Sequence, residues 1–233
     1  MFLTGGGAPT WLSIDEEIDL QDRPYKYLNH LIDKYENLSP IKDEIVNAFE
    51  LLKDCYTNGG KLLVAGNGGS ASDSQHIVGE LMKRFVLNRP VPDELSKRLV
   101  EIDRERGRVL LKNLEMGLPA IALSAHEALC TAYINDEYAE GIFAQQVLGY
   151  GKSEDVFLGI STSGNSENIV CGAIVAKAKD LKTIGLTGAS GGKLMELVDV
   201  CICAPEIETY KIQELHLPIY HCLCMMLEEE FFG

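Results

Sequence analysis

The chain has 233 residues, 46% hydrophobic and 24% charged, enough for one domain with a substantial core. Its 35 acidic against 21 basic residues give a formal net charge of −14, which argues against nucleic acid or an anionic membrane as partner. No apolar run approaches the roughly 20 residues of a membrane span, and MFLTGGGAPTWLSIDEEIDL lacks the basic start and apolar centre of a secretory signal; a cytoplasmic protein is expected.

Residues 1–20 are Gly-rich and then acidic, without periodicity, and are expected to form a loose N-terminal arm on a single domain spanning 21–233. Apolar residues at helical spacing predict helices from about Pro24 to Tyr35 and from Ile41 to Tyr56, the second ended by Asn58-Gly59-Gly60. Leu62–Ala65 reads as a buried strand that breaks at Gly66-Asn67-Gly68-Gly69-Ser70. A helix follows from about Ser72 to Phe85. Residues 91–117 interrupt the rhythm as a charge-rich inserted segment, with an exposed helix predicted from Asp93 and Pro92 at its start. A second strand, Leu118–Leu123, ends at Ser124-Ala125-His126, and Asn135-Asp136 falls between short helical segments. The third strand, Val156–Ile160, runs into Ser161-Thr162-Ser163-Gly164-Asn165-Ser166 and then a helix to about Asp180. A fourth, Thr183–Leu186, ends in the Gly-rich turn through Gly192; a fifth, Val200–Ala204, leads to a last helix over about Thr209–Phe232.

That alternation predicts an α/β three-layer sandwich: a five-stranded parallel sheet, helices on both faces, and a helical N-terminal extension. Ligands of such sheets bind beyond the carboxyl ends of the strands, where the polar loops lie. The seven cysteines show neither disulfide-framework nor CxxC spacing and are expected to be reduced thiols.

Two loops there carry chemistry. The turn Asn67-Gly68-Gly69-Ser70 lets backbone amides and a helix start approach an anion closely. Ser161, Thr162, Ser163 and Ser166, around one glycine and before a helix, form a denser cradle of donors and the better phosphate seat. Neither loop is a Walker or a GxGxxG motif. His76 and Glu80 share one helix face. Gln213 and His221 on the last helix, eight residues apart, lie about 80° apart around an ideal helix and can face one cleft. Two imidazoles, a carboxylate and an amide suit Zn²⁺ or a similar divalent ion, while a Glu and a His flanking a sugar carbon make a base and an acid. His216, about 140° from His221, is expected to face packing or solvent. His126 is a candidate to line the cleft, and Pro218 is expected to kink its helix.

AGNGGSASDSQHIVGEL, GISTSGNSENIV and KIQELHLPIYH resemble the phosphoheptose isomerases of the sugar isomerase (SIS) domain superfamily, from about Ile41 to Glu230 with a break near 91–117. The resemblance implies the SIS fold, a cytoplasmic homotetramer with active sites shared between subunits, a zinc ion, and interconversion of sedoheptulose 7-phosphate with D-glycero-D-manno-heptose 7-phosphate. It places Asn67, Gly68, Gly69 and Ser70 against the substrate, Ser161, Thr162, Ser163 and Ser166 on its phosphate, and Asn135, Asp136 and Gln213 beside the sugar. It makes Glu80 the base and His221 the acid, and His76, Glu80, Gln213 and His221 the metal ligands; Arg84 matches an arginine of the same helix. Glu80 cannot be at once a permanent metal ligand and a free base. The long 91–117 segment, Tyr210 in place of a common aspartate, and Pro218 depart from the family pattern. Isomerisation of another sugar phosphate is the nearest alternative. A non-catalytic SIS protein, such as a sugar-phosphate sensor or replication-initiation adaptor, is the other; such relatives tend to lose the acid and base that Glu80 and His221 supply here.

Overall fold

The structure, a computed structural model, describes residues 23–233, so the expected arm lies outside the described residues. Two helices, α1 (Tyr25–Lys34) and α2 (Lys42–Thr57), joined by a short 3-10 turn, precede β1 (Leu62–Gly66). Then come α3 (Gly69–Met82), α4 (Asp93–Ile102), α5 (Arg104–Asn113), β2 (Ala120–Ala122), α6 (Glu127–Asp136) and α7 (Ile142–Tyr150). The chain closes with β3 (Val156–Ile160), α8 (Glu167–Ala178), β4 (Lys182–Gly188), α9 (Gly192–Leu197), β5 (Val200–Ala204) and α10 (Thr209–Phe232).

All strand pairs are parallel, in the order β2-β1-β3-β4-β5. Every residue of β1 and of β3 is buried, as expected of central strands covered on both faces. Alternation along β1 divides the interior. Val64 joins Phe49, Leu158, Ile184, Ile219 and Leu223 in a core under α1, α2, α3 and α10, whereas Leu63 and Ala65 join Phe143, Phe157 and Ile169 under α7 and α8. The strand order reverses between β1 and β3, which opens a crevice at their carboxyl ends.

Several boundaries differ from the sequence reading. The edge strand β2 keeps only three ladder residues, paired with Leu62, Leu63 and Val64; Leu118 and Leu123 are buried without belonging to it. α3 starts at Gly69, earlier than Ser72, and stops at Met82, before Phe85, because the following backbone turns to bond a residue of α10. The 91–117 segment forms a hairpin of two helices rather than one. Asp103 ends the first and caps the second, accepting from the N–H groups of Glu105 and Arg106 at 3.1 and 2.9 Å. α10 runs on through Pro218 as one helix.

Candidate active site

The β1–α3 turn depends on missing side chains. Gly68 has φ +56° and ψ −120°, which glycine adopts without strain, and a Cβ on Gly66 would overlap the Ser70 carbonyl. α3 begins without a side-chain cap, and the turn closes on itself instead: Ser70 N–H donates to the Asn67 carbonyl at 3.0 Å and Ala71 N–H to that of Gly68 at 3.1 Å. A Cβ on Gly69 would stand 2.5 Å from Gln213 Nε2, which puts this turn directly against α10. Asn67 pairs reciprocally with Asn168 of α8, Nδ2 to Oδ1 at 2.8 and 3.0 Å. Those two bonds tie the β1 turn to the β3 loop across the crevice.

The β3 loop is organised by its hydroxyls. Ser161 Oγ lies 2.9 Å from Ser166 Oγ, and Ser163 Oγ accepts from Asn165 N–H at 3.1 Å. Gly164, at φ +66°, packs so closely on the turn after β4 that a Cβ would overlap the Gly191 carbonyl. Gly188 N–H donates to the Thr162 carbonyl, and Lys193 N–H to Asn165 Oδ1, at 2.9 and 3.1 Å. Ser166 begins α8 without a side-chain cap bond, leaving the cradle hydroxyls beside open amides, the setting for an oxyanion.

Further along the same two helices, α3 and α10 bring titratable groups together. His76 Nε2 stands 3.3 Å from Glu80 Oε1, and Lys83 Nζ donates to Glu80 Oε2 at 3.2 Å. Tyr220 donates its hydroxyl proton to Asp73 Oδ1 at 3.3 Å, so at 2.9 Å the same oxygen accepts from His76 Nδ1–H. That assignment leaves Nε2 facing Glu80. His221 is half-buried, its ring 4.9 Å from that of His76 and 5.3 Å from that of Phe85. Burial, then the neighbouring His76, lowers the His221 pKa, with Glu80 pulling the other way. Burial raises that of Asp73, against the Tyr220 bond and His76. His221 Nε2 is buried with no hydrogen-bond partner among the described residues. A cavity of about 370 Å³ between α1 and α10 is lined by His221, Tyr27, Lys34, Glu214 and Pro218. The donor types suit zinc and His221 Nε2 is an open imidazole nitrogen, but among the described residues no three His, Cys, Asp or Glu side chains are gathered as a metal site.

The remaining predicted residues lie elsewhere. Asn135 and Asp136 end α6, exposed and bonded to each other at 2.7 Å. His126 caps α6, accepting from Leu129 N–H at 3.2 Å. His216 is wholly buried, its Nε2 on the Thr187 carbonyl at 3.1 Å, and burial lowers its pKa to about 4. Arg84 is exposed and pairs with Glu115 at 3.2 Å. Asn168, Asp73 and Tyr220 were not singled out from the sequence. Asp73 lies three residues before His76, so helical spacing could have placed it on that face; Tyr220, adjacent to His221 and so turned to another face, and Asn168 left no such signal.

A sheet ordered 2-1-3-4-5, with two glycine-bearing polar loops at its switch point, is a SIS domain: the model of the SIS domain family matches residues 26–101 and 105–188. The break falls at the turn between α4 and α5. The chain is 42% identical over 200 residues to phosphoheptose isomerase 2 of Campylobacter jejuni, covering 83% of this chain and 86% of that one. It is 39% identical over 202 residues to the phosphoheptose isomerase of Aneurinibacillus thermoaerophilus, covering 82% and 89%. The solved phosphoheptose isomerase of Francisella tularensis superposes with a TM-score of 0.68 at 33% identity, over 90% of this chain and 98% of that one; that of Neisseria gonorrhoeae gives 0.67 at 31%, with the same coverage. The chain belongs to the phosphoheptose isomerase family, and it is an enzyme of the isomerase class.

Proposed function

We propose that the protein interconverts sedoheptulose 7-phosphate and D-glycero-D-manno-heptose 7-phosphate by proton transfer between C1 and C2. The observation that carries this is the convergence of a carboxylate and two imidazoles from α3 and α10, in a chain whose β3 loop forms a hydroxyl-lined anion cradle. Ser161, Thr162, Ser163 and Ser166, with the first amides of α8, hold the phosphate. Asn67, braced by Asn168, binds sugar hydroxyls together with Gly68, Gly69, Ser70 and Gln213. Asn135 and Asp136 add to the sugar site, and in a homotetramer they serve a neighbouring subunit's pocket.

Starting from the ketose, Glu80 takes the proton from C1 while the electron pair of that C–H bond forms the C1–C2 double bond and charge moves to O2. His221, kept neutral by its surroundings, offers a ring N–H to that oxygen and passes the proton between O2 and O1. Glu80 then returns its proton to C2, giving the aldose. His76, Gln213 and His221 would hold Zn²⁺, with Glu80 as a ligand only while it is not acting as the base, and the ion when bound would polarise the carbonyl. Metal analysis of the purified protein tests that assignment, and the absence of zinc from protein that turns over would remove it. The cytoplasm is the compartment we propose.

Purified protein assayed with sedoheptulose 7-phosphate, with and without added Zn²⁺, tests the activity. Turnover supports the reading; ligand binding without turnover makes the protein a non-catalytic sugar-phosphate binder. Faster turnover of another ketose phosphate, compared by kcat/KM, would reassign the substrate.

A further inference from the structure

Arg89 and Glu228 are a buried ion pair outside the substrate loops, with 0% and 1% of their side chains exposed. Arg89 Nε donates to Glu228 Oε1 at 2.8 Å. The other two nitrogens of the fork reach back into the last turn of α3: Nη1 to the Leu81 carbonyl at 2.6 Å and Nη2 to the Glu80 carbonyl at 3.0 Å. These carbonyls belong to a helix end that has no further turn to satisfy them. Glu228 in turn accepts from three consecutive backbone N–H groups, Phe85 at 2.7, Val86 at 2.7 and Leu87 at 3.0 Å. The guanidinium also stacks over Phe232, 4.9 Å from the ring centroid.

The pair therefore joins two particular elements. One end grips the backbone of Glu80 itself. The other is rooted in α10 seven residues, two turns, beyond His221, on the same helix face. Phe85, held through its N–H by Glu228, has its ring against that of His221.

We infer that Arg89 and Glu228 are positioning residues, which set the distance and orientation between the helix bearing Glu80 and the helix bearing His221. This rests on the isomerase reading for its kinetic consequence but not for its geometry. A buried ion pair is often no more stabilising than an apolar pair of equal volume, so stability alone is a weak reason to bury one. A misplacement of about 1 Å at a reacting centre, by contrast, can cost roughly a hundredfold in rate.

The test uses the full chain carrying Arg89→Lys, which keeps the charge and loses the fork, and separately Glu228→Gln. Each is measured for kcat and KM on sedoheptulose 7-phosphate and, without substrate, for the imidazole NMR signals of His76, His221 and His126. In both variants kcat is expected to fall at least about tenfold with KM within about twofold, scaled from the same misplacement cost. The His76 and His221 signals should move while that of His126, which caps α6, stays. Unmoved His76 and His221 signals overturn the inference whatever the enzyme does, as does an unchanged kcat in an active wild type. A wild type with no turnover overturns the isomerase reading alone, and the NMR shifts still decide the positioning role. If one variant fails to fold, the other decides.

Discussion

Buried as it is, His216 gives the fold a pH dependence whose size follows from the structure. Its Nε2 donates to the Thr187 carbonyl at 3.1 Å, while Nδ1 is buried without a partner, so the neutral ring fits and the charged ring does not. Its pKa drops from 6.5 to about 4. A folded pKa below the unfolded one means that the unfolded chain takes up the proton first as pH falls, so stability is full above pH 6.5 and drains away toward pH 4. At about 1.4 kcal/mol per pH unit the whole effect is about 3 kcal/mol, of which about 2 kcal/mol is lost between pH 7 and pH 5. His216→Gln keeps an N–H donor for Thr187 and removes the titration. Urea unfolding of both proteins at pH 7 and at pH 5, at one protomer concentration, isolates the contribution. The wild type should lose about 2 kcal/mol more than the variant over that interval. Equal losses would mean that His216 is not held neutral by burial.

Glu80→Gln keeps the shape of the side chain and removes the base, so kcat should fall at least ~10²-fold with substrate binding retained; an unchanged kcat removes Glu80 from the mechanism. Ser163→Ala deletes a cradle hydroxyl that braces Asn165 and should raise KM far more than it lowers kcat, whereas a normal KM would argue against the phosphate assignment. Gly164→Ala forces a Cβ into the Gly191 carbonyl at a positive φ and should cost about 2 kcal/mol or more, read as a lower thermal midpoint; an unchanged midpoint would refute the packing of the β3 and β4 loops.

The sheet was legible because central parallel strands are written as unbroken apolar runs: Val156–Ile160 stands where the pattern put it, and the expected Leu62–Ala65 is lengthened only by Gly66; the edge strand Val200–Ala204 also matches its expected span. β2 was overread for the same reason. Leu118 and Leu123 are buried by packing, and hydrophobicity alone does not distinguish burial from ladder pairing. The inserted hairpin was read as one helix because the capping aspartate at 103 looks, in sequence, like one more charge in a charged run.

The candidate site divides along a similar line. His76 and Glu80, or Gln213 and His221, are visible as pairs because each lies on one helix at a readable spacing. What orders the pairs in space is long-range and leaves no spacing to read. Tyr220 reaches Asp73 from 147 positions away, Asn67 meets Asn168 across 101, and Glu228 meets Arg89 across 139. Arg89 is the instructive case. In sequence an arginine shortly after a helix suggests an exposed charge, since arginine is seldom fully buried unless paired. Here every bond of its fork is made inside the protein, and two of them end on the backbone of α3, one on Glu80 itself. The residues that would do the chemistry are thus legible one helix at a time. The separation that makes them a site depends on a buried cation whose partner lies at the far end of the chain.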